Sequence, residues 1–397
     1  MKLYIFNPDS DLALADHRDT YIPPLRVRRF AQDLAMLPVW YAQPGSAVLA
    51  ASAYNADYLQ LMKQLFPLQV DLMTQAELPD NPNMQVMPWG WSLSLRKNLL
   101  KWSDGKLRLP SIDQINSDRI RSSRTFSRYM AIRLSMSPLD YTTGESLLVE
   151  RHNMSKVEEL YASKTLGSCV FKSLWSSSGR GLYWCRNGVT KAALNWCWRE
   201  IEQHGGITME PIYDKVEDFA MEFYSNGKGR VFFTGYSSFH TNEKGAYQSS
   251  VLSPDACIED WICCYVPLHA LVLIREQVQR ELEMSLGSYY MGPVGVDMMV
   301  CKSQGEYPYA IHPCVEINLR MTMGMVARHF YDHYVQPGKE GRFYIQTYPS
   351  PAALEETRAK NIRKHPLTVE RGKIKSGCLE LVPVTPHSYS RAYVIIT

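Results

Sequence analysis

Two short apolar segments carry oxygen-bearing side chains where a buried strand ordinarily excludes them: Gly295-Val296-Asp297-Met298-Met299-Val300 and Val315-Glu316-Ile317-Asn318-Leu319-Arg320. Burying a carboxylate is costly unless a cation or a hydrogen-bond donor compensates it. Side chains alternate between faces along a strand, so Glu316 and Asn318 share one face. If the two segments pair as a hairpin, Asp297 can reach that face too. Two carboxylates and one amide oxygen then form a hard-oxygen set suited to Mg²⁺ that also holds substrate phosphates. The alternative is that each acid is salt-bridged or sits at a strand end.

A second stretch with chemical potential is Ser176-Ser177-Ser178-Gly179-Arg180-Gly181. Small residues let backbone N–H groups approach an anion, and hydroxyls with a guanidinium add charge-assisted donors, which are the features of a phosphate cradle. A plain hairpin turn accounts for the same composition. No GxxxxGK[ST] occurs and no GxGxxG follows the first strand, so two Gly-rich nucleotide folds lose support; no GxSxG marks a serine nucleophile. His329 and His333 have the i, i+4 spacing of a helical metal site but lack the HExxH glutamate, which favours structural or surface histidines. Pro88-Trp89-Gly90-Trp91 reads as aromatic packing at a domain interface in preference to substrate stacking. Asn7-Pro8-Asp9-Ser10-Asp11 follows the first strand, the end at which α/β sheets bind ligands, and fits an Asx-rich helix cap equally well.

The elements that must position these groups begin with an apolar strand at Leu3 to Phe6. Further strands are expected at Pro38 to Ala42 and Ala47 to Ala50, with helices at Tyr54 to Leu65 and after a Ser92 cap, giving a mixed α/β layer up to about residue 115. Ser117-Asp118 is expected to cap one arginine-rich helix from Arg119 to about Ala131. From Cys169 the texture becomes strand, Gly-rich turn, helix (Val189 to His204, stopped by Gly205-Gly206) and strand. Strands follow at Thr208 to Pro211, Phe219 to Tyr224 and Arg230 to Thr234. Ser237 to Asp260 reads as a long polar loop of the kind that forms a lid or binding loop; in it His240, Lys244 and Tyr247 either reach a second substrate or are merely solvated. Leu268 to Leu286 is a strongly amphipathic helix stopped by Gly287. After the acidic hairpin come a strand at Phe343 to Thr347, a helix at Ala352 to Lys364, and strands near Cys378 to Val382 and Ala392 to Ile396.

The 397 residues allow two or three domains, and 45% hydrophobic with 21% charged residues is ordinary for a globular protein. A net charge of +3 argues against nucleic acid or an anionic membrane as a partner. No run approaches the roughly 18 apolar residues of a membrane span, and the first residues turn polar too soon for a signal-peptide core, so a cytoplasmic location is expected. The nine cysteines are odd in number and form no CxxC, which argues against disulfides and zinc; they are read as core thiols, including Cys263 and Cys264.

The order of the parts is more specific than any one of them. Lys172 ends a strand before the Ser/Gly loop, Glu210 and Glu217 lie on later strands, and Asp297 with Glu316-x-Asn318 closes the series. In this the chain, over about residues 118 to 335, resembles the ATP-grasp superfamily. The resemblance implies a fold that is α/β and α+β: a pre-ATP-grasp α/β domain (1–115), a two-subdomain ATP-grasp fold (116–206 and 207–335) and a C-terminal α/β extension (336–397). It also implies ATP bound between the two subdomains. Lys172 would contact the α and β phosphates, and the loop of Ser176, Ser177, Ser178, Gly179, Arg180 and Gly181 would close over the γ-phosphate. Glu210 and the backbone about Ile212 would meet adenine, and Glu217 the ribose. Asp297, Glu316 and Asn318 would bind Mg²⁺. Arg124 stands where the family usually has a lysine, and a solvated helix charge is its alternative reading. Arg320 matches the arginine of an E-x-N-x-R pattern that could hold a substrate carboxylate or the acyl phosphate; a surface ion pair is the alternative. The function implied is an ATP- and Mg²⁺-dependent ligase that activates a carboxylate for attack by an amine or similar nucleophile, both small molecules. Alternatives are a kinase of the same fold and a non-catalytic nucleotide-binding scaffold.

Overall fold

The computed structural model describes residues 1–50, 52–137, 139–163, 167–175, 181–241 and 247–397. Its strands form three sheets.

The first sheet is parallel, with the order Val70–Met73, Ser46–Leu49, Lys2–Ile5, Gln85–Pro88. The order reverses beside Lys2–Ile5, so Asn7 to Asp11 and Trp89-Gly90 leave adjacent strand ends at a switch point, where α/β sheets form ligand crevices. Asn7 Nδ2 donates to the Gly90 carbonyl at 2.7 Å and closes the two segments together. The helices Ala53–Leu65 and Leu93–Trp102 start where Ser52 and Ser92 hydroxyls accept from the third residue on, each at 3.2 Å. The strand expected at Pro38 to Ala42 is instead a 3₁₀ turn, Leu37–Trp40. Its apolar run reflects burial and not pairing: Trp40 is 1% exposed and its indole N–H donates to the Leu381 carbonyl at 2.7 Å.

The helix expected from Arg119 to Ala131 is in fact two, Ile112–Arg121 and Arg124–Ser135. Serine hydroxyls compete for helix backbone groups. Ser122 Oγ donates back to the Arg119 carbonyl, while Ser123 Oγ accepts from Phe126 N and opens the second helix. Arg124 N then donates to the Leu174 carbonyl at 2.9 Å, seating that helix against the second sheet.

The second sheet is antiparallel, ordered Leu147–Val149, Ile207–Pro211, Cys169–Ser173, Leu182–Cys185. The helix Lys191–His204, capped by Thr190 and ended by Gly205 at φ 85°, covers it with Ala193, Cys197 and Ile201.

The third sheet has nine strands. Their order is Tyr309–Asn318, Met291–Lys302, Lys215–Asn226, Val231–Thr241, Tyr247–Leu252, Gly341–Thr347, Ser390–Ile396, Lys373–Glu380, Thr368–Glu370. The C-terminal strands thus continue the sheet that carries the acidic hairpin. The helix Leu268–Leu286 packs Leu271, Ile274, Val278 and Leu282 on the face that holds Phe219, Met221, Phe223, Val296 and Met298. Elsewhere Trp40, Phe66, Phe330, Ile374 and Val394 share one core, which joins the first sheet, the helix Met323–Tyr334 and the C-terminal strands.

The polar loop expected over 237 to 260 is largely strand, with a helix at Asp255–Ile262. Ser237, Ser238, Ser249 and Ser250 are buried in the sheet, and small hydroxyls there disguise strand as loop. Lys244 lies outside the described residues. Three cysteine readings are also corrected. Cys257 and Cys264 are exposed and Cys263 is half-buried, on and just after the short helix Asp255–Ile262, whereas Cys169, Cys185, Cys197, Cys301, Cys314 and Cys378 are buried.

Candidate active site

The two segments pair as an antiparallel hairpin, which is the condition for Asp297 to share the face of Glu316 and Asn318. Asp297 pairs opposite Glu316 and Gly295 opposite Asn318, while on the other side Gly295 pairs with Glu222 and Asp297 with Ala220. Alternation then puts Glu222, Asp297, Glu316 and Asn318 on one face, away from the helix Leu268–Leu286. Asn318 Nδ2 donates to Asp297 Oδ2 at 3.1 Å, and its Oδ1 accepts from Arg320 Nη2 at 2.9 Å. Arg124, at the N-terminus of its helix, donates to Glu316 Oε2 at 3.2 Å. The same helix reaches the strand through Ser127 Oγ, which accepts from Ile317 N.

Arg320 is not a surface ion pair. Its Nε donates to both oxygens of Asp11, its Nη1 to the Met321 carbonyl and its Nη2 to Asn318. One guanidinium therefore joins the hairpin to the segment leaving the first strand of the first sheet.

Burial and like charge dominate the electrostatics. The Asp297 carboxyl is pushed up to about 8, first by burial and then by Glu316 and Glu222, against the pull of Arg320 and Asn318. Burial pushes Glu222 up to about 7, although Ser237 and Thr322 donate to its Oε1 at 2.9 and 3.0 Å. This concentration of uncompensated carboxylate suits a divalent cation. Among the described residues no group of three His, Cys, Asp or Glu side chains is arranged to hold a metal by itself. Two carboxylates and an amide suit Mg²⁺, which keeps waters or phosphate oxygens as its remaining ligands.

The second sheet faces this wall. Lys172 Nζ donates to Glu210 Oε2 at 2.5 Å, and both residues are 7% exposed. They sit beside His312, whose ring has no hydrogen-bond partner among the described residues; burial lowers it to about 4. His312, Cys314, Glu316 and Asn318 thus mark a line along one strand, from the Lys172–Glu210 pair to Arg320 and Asp11.

Gly181, at φ 70°, accepts at its carbonyl from Ser173 N. Ser176, Ser177, Ser178, Gly179 and Arg180 lie outside the described residues. Ile212 lies half-buried between the strands Ile207–Pro211 and Lys215–Asn226. Glu217 is not on the acidic face. It pairs opposite Val300, and alternation turns it to the side of the Leu268–Leu286 helix, while Asp218 takes the acidic face one residue on. Asp218 is held there by Lys215 Nζ and Thr241 Oγ1. His329 and His333 form no metal site: the His333 ring nitrogen bonds the His329 carbonyl of its own helix.

Asp218, Glu222 and His312 are absent from the sequence reading of the site, whereas Asp11 lies in the Asn7 to Asp11 segment that reads as either a ligand-binding end or a helix cap. For Glu222 a signal existed, since Phe219-Ala220-Met221-Glu222-Phe223 buries an acid in an apolar strand just as Asp297 is buried.

A cleft of about 980 Å³ opens beside the acids. Glu222, Asp297 and Arg320 line one flank, Leu12 and Phe30 a second, and Tyr344, Gln346 and Tyr348 a third.

No protein-family model matches the chain, and no curated protein matches it in sequence. Among the described residues no helix is long and apolar enough to cross a membrane. Solved structures do match. The biotin carboxylase of Campylobacter jejuni, solved as a β-γ-ATP complex, superposes with a TM-score of 0.52 at 11% identity, covering 100% of this chain and 87% of its own. N5-carboxyaminoimidazole synthetase of Staphylococcus aureus gives 0.50 at 10% identity, covering 100% and 93%. Both are ATP-grasp enzymes. With the hairpin, the facing sheet and the switch-point segment in this arrangement, the chain has the ATP-grasp fold.

Proposed function

We propose that this protein is an ATP- and Mg²⁺-dependent ligase that activates a carboxylate as an acyl phosphate for attack by an amine or similar nucleophile. The observation that carries the reading is the register of the hairpin. It sets Asp297 opposite Glu316, with Asn318 bonded to Asp297, between the Lys172–Glu210 pair on one side and a large cleft on the other.

Phosphoryl transfer asks for positioning and charge neutralisation more than for a side-chain nucleophile. Lys172 supplies a cation for the α and β phosphates and exchanges Glu210 for them. The Ser176–Gly181 loop covers the γ-phosphate. Glu210 and the backbone at Ile212 meet adenine, and the ribose falls to Asp218, which shares the acidic face, in place of Glu217. Asp297, Glu316 and Asn318 would hold Mg²⁺, which when bound neutralises phosphate charge. Arg124 fixes Glu316, and Arg320 holds the substrate carboxylate or the acyl phosphate. The domains follow as a first α/β domain over 1–115, ATP-grasp halves over 116–206 and 207–335, and an extension over 336–397 that walls the cleft.

The test is thermal unfolding with Mg²⁺ alone, a nonhydrolysable ATP analogue alone, and both together, since a ligand that binds only the native state raises the midpoint. A rise that needs both supports the reading. No shift at millimolar nucleotide overturns it and leaves a non-catalytic fold. Phosphate release on screening carboxylates and amines, with a hydroxamate formed when hydroxylamine replaces the amine, then identifies ligase chemistry.

A further inference from the structure

Glu222 is the one acid of the wall that the proposed nucleotide and metal roles do not use. It is 1% exposed, and its Oε1 is held by Ser237 and Thr322. Its Oε2 has no partner among the described residues. Arg320 pulls on it only from a distance, because the hydrogen bonds of that guanidinium go to Asp11, Asn318 and the Met321 carbonyl. A carboxylate buried without a cation is a costly arrangement unless a ligand supplies one.

Glu222 lines the cleft, with Oε2 itself buried in its wall. A Cβ on Gly295 would stand 3.0 Å from Glu222 Oε2, and one on Gly324 2.4 Å from Oε1, so only glycine leaves room beside the carboxylate at these two positions. Glu222 lies in the row of Gly295 and Asn318, one row beyond Asp297 and Glu316 as counted from His312 and the Lys172–Glu210 pair. It therefore lines the cleft on the far side of the acids from the nucleotide end.

Resting on the ligase reading above, we infer that Glu222 is the binding group for the ammonium of the amine substrate, received at Oε2 from the cleft. A –NH₃⁺ group offers three donors and one charge, which matches a single buried carboxylate oxygen beside the hydroxyls of Ser237 and Thr322. The inference fixes the class of acceptor: a primary amine, cationic when it binds, which passes a proton to the Glu222 carboxylate before its nitrogen bonds the acyl carbon and phosphate leaves, with its remaining groups lying along the cleft toward Tyr344 and Gln346.

The experiment compares the wild-type chain with Glu222→Gln, which keeps the shape and an acceptor for Ser237 and Thr322. Thermal unfolding is followed first with Mg²⁺ and the ATP analogue, then with each standard amino acid, with spermidine, and with the N-acetylated form of any that binds. The expected result is that at least one amine raises the wild-type midpoint, its acetylated form does not, and Glu222→Gln weakens its half-saturation by about tenfold or more. The nucleotide shift with Mg²⁺ should keep its size in both proteins. Loss of that shift in Glu222→Gln would make Glu222 a metal ligand and overturn the inference. So would equal amine binding in the two proteins, or no binding by any amine. Failure of the ligase reading is read separately, as no Mg²⁺-dependent nucleotide shift in the wild type.

Discussion

Arg320 Nε donates to both carboxylate oxygens of Asp11, at 2.8 and 3.0 Å, across 309 residues of sequence. The first sheet's switch-point segment and the acidic hairpin are therefore one unit at the level of side chains, and the same guanidinium orients Asn318. Geometry of this kind is specific to a planar fork of donors and is lost with an ammonium.

Replacing Arg320 by lysine should therefore preserve charge and lose position. Charge-assisted hydrogen bonds contribute about 1.5–3 kcal/mol each, so turnover should fall by roughly 10- to 100-fold while the Mg²⁺-dependent nucleotide shift persists. Asp11→Asn should move in the same direction by less. Steady-state kinetics beside thermal shifts checks both, and turnover unchanged in Arg320→Lys would remove Arg320 from the reaction.

Asp297→Asn and Glu316→Gln should abolish Mg²⁺-dependent ATP turnover, because each removes a charge with little change of volume. Their stabilities should differ. Asp297 is held protonation-prone by burial and by Glu316 and Glu222, so its neutral replacement should leave the metal-free unfolding midpoint equal or higher. Glu316→Gln instead deprives Arg124 of its carboxylate partner and should lower it. Calorimetry in chelator separates the two, and normal turnover in both variants would end the metal assignment.

The raised carboxyls also set a pH dependence. Asp297 at about 8 and Glu222 at about 7 lie above their ordinary values of 3.8 and 4.5. Between those limits the native chain holds protons that the unfolded chain has released, so stability present at low pH is lost as pH rises through 7 and 8. The slope is at most about 1.4 kcal/mol per pH unit for each proton. Urea unfolding of the metal-free protein at pH 5, 6.5 and 8 should show that decline, and Asp297→Asn should flatten it. Mg²⁺ binding at Asp297 would displace its proton, so Mg²⁺ affinity should climb as pH rises toward 8.

Much of this was legible in the sequence because it rests on local rules. The common face of Glu316 and Asn318 follows from alternation, and Ser52, Ser92, Thr190 and Gly205 punctuate helices by their own chemistry. What escaped depends on tertiary context. Trp40 sits in an apolar run because the C-terminal strands cover it, and serines between 237 and 250 line buried strand where their polarity signals loop. Glu217 and Asp218 differ by one position, and only the pairing with Val300 and Met299 shows which of them faces the acids. Asp11 lies in a segment whose local pattern fits a ligand-binding end and a helix cap equally, and no local pattern discloses its partner at position 320.

The Lys172–Glu210 pair provides the last test, because structure and function there pull apart. Both groups are 7% exposed and bonded to each other at 2.5 Å, so Lys172→Ala leaves a buried carboxylate unpaired. Breaking a buried pair from one side costs about 3–5 kcal/mol, whereas removing both partners is close to neutral. Lys172→Ala should therefore lower both the unfolding midpoint and the affinity for nucleotide. Adding Glu210→Ala should restore most of the stability and none of the affinity, since the phosphates still lack their cation. Denaturation and nucleotide titration of the two single variants and the double form a complete cycle. If the double variant recovers nucleotide binding along with stability, Lys172 is a structural cation and the phosphate site lies elsewhere.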